Sequence, residues 1–239
     1  MIPRRVFGDL RSITNIYLTK EQSPQATGAL ILLHGSGDNG DCFRLTVDHL
    51  LNGRACFPHI KIIYPSAWTI PYSPSGGIPV PTWFDVSGYA MEAEENEAEL
   101  RVATRDLLQI IDKLGAEGIP RNRIVIGGFS RGGAMAAHLA LCSAPDLAGV
   151  GVMSSWIPST SNFYQCFPEN LNRGRSPQLL QMHGDDDDLI DPSLAQQTFA
   201  KLRSLGVHGN FLTYPGQNHE VSRQELEDFF SFVSKLVPE

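Results

Sequence analysis

One short stretch constrains the architecture more than any other. Residues 124–133 read Ile-Val-Ile-Gly-Gly-Phe-Ser-Arg-Gly-Gly, and the alanine-rich residues 134–140 follow directly. A β-branched run, then G-x-S-x-G, then a strong helix former is the order of a strand, a sharp turn and a helix. Such a turn lifts the serine hydroxyl out of the sheet edge, and its flanking glycines let strand and helix close on one another without Cβ collisions. Bare G-x-S-x-G arises by chance in roughly one chain of this length in ten at average glycine usage. Its strand-turn-helix setting makes Ser130 a candidate nucleophile.

The rest of the chain supplies the sheet that such a turn requires. Strand-length apolar runs recur at residues 13–18, 29–33, 60–64, 124–126, 150–153, 179–182 and 211–214. Helical patterns lie between several of them. Over residues 92–114, Leu100, Ala103, Leu107, Ile110, Ile111 and Leu114 form one apolar stripe behind an acidic first turn. Asp191-Pro192 starts a second helix that runs to Gly206, and Ser222 with Glu225 starts a third as a capping box. This alternation predicts an α/β fold, a mostly parallel sheet with helices on both faces. No repeat or low-complexity linker divides the chain, so residues 1–239 are expected to form a single domain. Residues 65–81, rich in Pro, Ser and Gly, are expected to be a long irregular loop carrying exposed apolar rings.

Composition excludes several function classes. With 19 basic and 26 acidic residues the net charge is −7, which argues against a nucleic-acid partner. No run approaches the ~18 apolar residues of a membrane span, so membrane contact is expected to be peripheral. The start has charge but no apolar region after it, and Cys42, Cys56, Cys142 and Cys166 lack framework spacing. Free thiols in a cytoplasmic protein are the expectation.

A serine hydroxyl is a weak nucleophile and needs a histidine base oriented by a carboxylate, in the chain order Ser, Asp, His. His219, in the polar stretch Gly216-Gln217-Asn218-His219-Glu220 ahead of the last helix, is the candidate base. The acid falls among Asp185, Asp186, Asp187 and Asp188, directly after the 179–182 strand, and the residues alone leave the four equivalent. An oxyanion hole requires one backbone N–H from the residue after the nucleophile and another from a Gly-rich loop after an early strand. Arg131 and Ser36, the latter within His34-Gly35-Ser36-Gly37-Asp38, occupy those places.

These motifs resemble the acyl-protein thioesterase and lysophospholipase family of small serine hydrolases with the α/β-hydrolase fold. The resemblance spans nearly the whole chain. It rests on L-H-G-x-G-D, the I-x-Y-P end at residues 62–65, Trp83-Phe84-Asp85, G-G-F-S-x-G-G, H-G-D-x-D-x-L-I and the late N-H-E. The His34 loop and residues 59–65 look closest to the lysophospholipase-like branch. The resemblance places the acid at Asp187 and implies acylated protein or lysophospholipid substrates. This chain departs from the family pattern at Arg131, where an uncharged residue is usual, and at Asp188, where proline is common. A cation at position 131 is expected at the pocket rim, favouring anionic substrates.

The implied reaction is acyl transfer to Ser130 and then to water, which needs no cofactor and no metal. Trp68, Ile70, Tyr72, Ile78 and Trp83 are candidates for lining an acyl groove or capping it short. Three readings follow: a depalmitoylating thioesterase or lysophospholipase, a short-chain carboxylesterase with a shallow site, and a catalytically silent binding module. Oligomeric state is not legible. His183 with the four aspartates lacks the spacing of a cation loop, and His183, His138, His49, His59 and His208 read as ordinary histidines.

Overall fold

The computed structural model describes residues 10–18, 26–166 and 176–239. Seven strands make one sheet: β1 (Ile13–Leu18), β2 (Gly28–Leu33), β3 (Ile60–Ala67), β6 (Ile124–Phe129), β7 (Gly149–Met153), β8 (Gln178–Gly184) and β9 (Gly209–Tyr214). Their spatial order is β1-β3-β2-β6-β7-β8-β9. Only β1 runs antiparallel to its neighbour, so the sheet is mostly parallel, as the strand-helix alternation predicts.

Parallel strands buried on both faces read as continuous apolar runs, and β2, Gly-Ala-Leu-Ile-Leu-Leu, is buried at all six positions. Its alternate side chains serve two cores. Ile31 and Leu33 pack with Leu107, Ile110 and Ile111 of α2 (Glu97–Ala116), with α3 (Arg131–Ala137) and with Leu202 of α4 (Pro192–Ser204). Leu30 and Leu32 face Phe43 and Val47 of α1 (Gly40–Leu50) and Leu226 and Phe229 of α5 (Arg223–Leu236). The edge strand β1 is tied down by a buried carboxylate. Asp106 of α2 accepts the amides of Arg11 and Ser12 at 2.5 and 2.6 Å and the Ser12 hydroxyl at 2.9 Å.

The helix expected from residue 92 begins at Glu97, where the Asn96 side chain accepts the Glu99 amide. Helix α1 has no counterpart in the periodicity reading. It starts on the Asn39 side chain, which accepts from the Asp41 and Cys42 amides, and buries only Gly40, Phe43 and Val47. The irregular loop expected over residues 65–81 is also corrected. Strand β3 continues through Ala67, and β4 (Thr69–Tyr72) pairs with β5 (Ile78–Pro81) as a separate antiparallel hairpin. Ile70 and Tyr72 point inward and are buried, so the rings are not exposed as expected. All four cysteines are free thiols. Among the described residues no helix is long and apolar enough to cross a membrane.

Candidate active site

Ser130 stands between β6 and α3 with φ 53° and ψ −123°, a strained conformation for a residue with a Cβ. The turn is held on one side by the Ser130 amide, which donates to Met153 O at 2.8 Å, and on the other by Gly133 and Ala134 amides donating to Ser130 O. A Cβ on Gly128 would strike the Gly132 backbone, and one on Gly132 would strike the carbonyls of Leu33 and His34. The G-x-S-x-G glycines are therefore required by close packing of strand, helix and the loop after β2.

Ser130 Oγ lies 3.0 Å from His219 Nε2, and His219 Nδ1 lies 2.8 Å from Asp187 Oδ2. The carboxylate accepts only, so Nδ1 carries the imidazole proton and Nε2 is left to accept from the serine hydroxyl. Asp187 Oδ1 accepts the amides of Leu189 and Ile190 at 3.1 and 2.8 Å. Burial disfavours its charge, but hydrogen bonds from His183, His219 and Ile190 and the His219 charge hold its carboxyl well below the usual range. Phe129 packs on the His219 ring at 4.8 Å.

The other aspartates of the acid turn are spent on holding it to the His219 loop. Asp185 Oδ1 accepts the Gly216 amide at 2.6 Å, the Asp186 amide donates to Gln217 O, and the Asp188 amide donates to Asn218 Oδ1 at 3.2 Å. Gln217 Nε2 in turn donates to Glu220 O and to Glu225 of α5. Among the described residues no group of three His, Cys, Asp or Glu side chains is arranged to hold a metal ion.

The loop after β2 reaches the nucleophile directly: a Cβ on Gly35 would lie 3.4 Å from Ser130 Cβ and 3.1 Å from the Phe129 ring. The next residue is Ser36, whose hydroxyl is 2.8 Å from that of Thr82, while the Gly37 amide donates to Pro81 O. Arg131 is the first residue of α3, a position whose N–H has no intrahelical acceptor. What shapes the Ser36 loop is not legible from its residues. His34 is fully buried; its Nε2 accepts the Ala67 amide at 2.9 Å, which leaves the proton on Nδ1 to donate to Gly35 O. A ring that accepts at Nε2 is neutral, and burial lowers its pKa, partly opposed by the bond to Gly35 and by Asp38.

Two expectations about side chains around the site are overturned. Arg131 is not a rim cation: its side chain is 2% exposed, with the guanidinium 5.0 and 4.9 Å from the rings of Phe84 and Trp156 and 4.0 Å from Glu95. Glu95 also meets His138 at 3.1 Å and the Ser161 hydroxyl. Burial opposes its charge, but His138, Ser161 and Arg131 outweigh that and hold its pKa low. His138 thus has a partner its position alone did not reveal. Trp83 is fully buried and donates from Nε1 to His34 O at 2.9 Å, so it supports the Ser36 loop rather than lining a groove. Trp68 is partly exposed and Ile70 and Tyr72 are buried; Ile78, at the hairpin tip and 63% exposed, is the candidate fully open to solvent.

A seven-stranded, mostly parallel sheet with a serine on a strained strand-to-helix turn, bonded to a histidine that is bonded to an aspartate, defines a hydrolase class. The phospholipase/carboxylesterase family model matches residues 15–237, and the chain belongs to this family of serine hydrolases of the α/β-hydrolase fold. It is 40% identical over 213 residues to lysophospholipase-like protein 1 of Mus musculus, covering 89% of this chain and 88% of the relative. Identity to acyl-protein thioesterase 1 of Neurospora crassa is 31% over 217 residues, with the same coverage of 89% and 88%. Among solved structures, Arabidopsis thaliana SOBER1 superposes with a TM-score of 0.78 at 28% identity, covering 88% of this chain and 99% of that one. Zea mays acyl-protein thioesterase 2 shares the fold, with a TM-score of 0.80 at 23% identity over 93% and 99% of the two chains.

Proposed function

We propose that the protein cleaves acyl thioesters or esters through a covalent acyl-Ser130 intermediate, with His219 as general base and Asp187 as the acid that orients it. The observation that carries this reading is the continuous chain from Asp187 Oδ2 through both nitrogens of His219 to Ser130 Oγ, at 2.8 and 3.0 Å. His219 Nε2 takes the hydroxyl proton as Oγ attacks the acyl carbonyl, and the Arg131 and Ser36 amides receive the developing oxyanion. The tetrahedral adduct then expels the alcohol or thiol, protonated by His219; water, giving its proton to the same base, attacks the acyl carbon, and His219 returns that proton to Ser130 Oγ as the carboxylic acid leaves. Asp187 remains ionised and stabilises the imidazolium.

Relatives named as an acyl-protein thioesterase and a lysophospholipase-like protein support an acylated protein or lysophospholipid as substrate. Free cysteines fit a cytoplasmic setting. One observation favours a short acyl group over a long one. Ile70, Tyr72 and Trp83, expected to line a groove, are packed into the protein, and the Arg131 guanidinium packs against the Phe84 and Trp156 rings. The test is hydrolysis of p-nitrophenyl esters from acetate to palmitate and of a palmitoyl-thioester peptide, by wild type and Ser130→Ala. Serine-dependent turnover of the thioester supports the deacylase reading. A peak at short chains without thioester turnover selects the carboxylesterase, and no turnover at all leaves a binding module.

A further inference from the structure

We infer that His183 is a positioning residue for this reaction, a second imidazole that holds Asp187 in place for His219. The inference rests on the reading of Asp187 as the acid. His183 lies near the end of β8 and has no exposed surface. Its Nε2 is 3.0 Å from Ile190 O and 3.2 Å from Asp187 Oδ2. Carbonyl and carboxylate oxygens only accept, so Nε2 carries the proton, which it donates to Ile190 O with Asp187 Oδ2 close beside it. Nδ1 is buried without a hydrogen-bond partner.

The consequence for the acid is specific. Oδ1 is committed to the Leu189 and Ile190 amides, while Oδ2 accepts from His219 and has the His183 Nε2 3.2 Å away. With three N–H groups bonded to the two oxygens and the His183 Nε2 against the second of them, the carboxylate plane is fixed. The same imidazole also ties Ile190 O to the strand end, and Ile190 supplies one of the amide donors to Oδ1. Three of the donors, those of Leu189, Ile190 and His219, come from loops, whereas His183 is borne on a sheet strand and is the rigid member. Without it the carboxylate rests on loop donors alone and its plane loosens, and the His219 ring that depends on it loses its aim.

The test compares His183→Leu, which keeps bulk and removes the donor, with His183→Gln, whose amide nitrogen reaches the place of Nε2. His183→Leu is expected to lower kcat about tenfold or more at little change in KM, and His183→Gln to recover most of it. In an Asp187→Ala background the His183→Leu substitution should add almost nothing, because the group it acts through is gone. An equal fold-loss in both backgrounds overturns the inference and leaves His183 a structural residue. Nitrogen-15 imidazole spectra of the wild type give a check independent of any variant's folding: His183 should carry a proton on Nε2, and a ring with Nε2 unprotonated would overturn the inference. Should Asp187→Ala itself cost far less than the roughly 10⁴-fold of an orienting acid, the triad reading fails. If that loss is present while His183→Leu leaves kcat intact, only the inference about His183 fails.

Discussion

Replacing Glu225 by glutamine should make the protein more stable at neutral and alkaline pH and leave it nearly unchanged in acid. Glu225 is in the first turn of α5 with no exposed surface. One carboxyl oxygen accepts from Gln217 Nε2 at 3.1 Å, and the other is buried without a partner. Burial pushes its pKa up from 4.5 to about 7; bonds from Gln217 and Ser222 pull it down less strongly, and the nearby Asp187 charge adds to the rise. Between those two values the folded protein holds a proton that the unfolded chain has lost, so stability falls as pH rises through the window. At 1.36 kcal/mol per pH unit the loss amounts to about 3 kcal/mol, complete just above pH 7. Glutamine keeps the shape and one acceptor oxygen and carries no charge to bury. Urea unfolding followed by tryptophan fluorescence, for both proteins at intervals from pH 4 to 8.5, measures the difference. It should be near zero at pH 4 and approach about 3 kcal/mol in favour of Glu225→Gln at pH 8. A difference that does not vary with pH, or that grows as pH falls, would refute the assignment of Glu225 as a buried acid protonated in the fold.

Other consequences are more local. Gly132→Ala should abolish Ser130-dependent turnover and lower the melting temperature, because its Cβ meets the Leu33 and His34 carbonyls; activity retained in a folded variant would contradict the packing argument. Arg131→Met should leave the preference between anionic and neutral esters unchanged, since the guanidinium does not reach solvent, while costing about 1–3 kcal/mol of stability. A loss of anionic substrates alone, measured by kcat/KM on matched esters, would restore Arg131 to the rim. Trp83→Phe leaves His34 O without its donor and should cost about 1–3 kcal/mol by urea unfolding, with a fall in kcat because the Ser36 loop loosens.

The parts of the molecule that the sequence disclosed are those whose cause is local. The strand-turn-helix run around Ser130 carries its own steric logic, and the alternation of apolar runs with amphipathic stripes announces a parallel sheet. The hairpin of β4 and β5 was hidden because Pro71, Pro79 and Pro81 fall within its strands, a feature that argues against pairing, although Ile70 and Tyr72 do alternate inward with outward Thr69 and Pro71. Helix α1 was hidden because it buries little beyond Phe43 and Val47, too narrow a stripe to show as periodicity. At the site, Ser130, His219 and Asp187 are the residues the geometry brings into one chain. Choice among the four aspartates needed the family resemblance, since it depends on how the turn after β8 meets the loop after β9, two segments remote in sequence. The roles of Trp83, Arg131 and His183 were illegible for a related reason: each is decided by burial. An indole and a guanidinium read as site chemistry in a sequence and an imidazole at a strand end as an ordinary histidine, whereas here the first two form packed supports beneath the turn and the third lies against Asp187.

The most direct test of the account is to treat the folded protein with a fluorophosphonate probe and locate the adduct by peptide mass analysis. The account predicts a single stoichiometric phosphonyl group on Ser130, abolished in Ser130→Ala and slowed by orders of magnitude in His219→Ala. Failure of the folded wild type to react, or an adduct on a different residue, would contradict it.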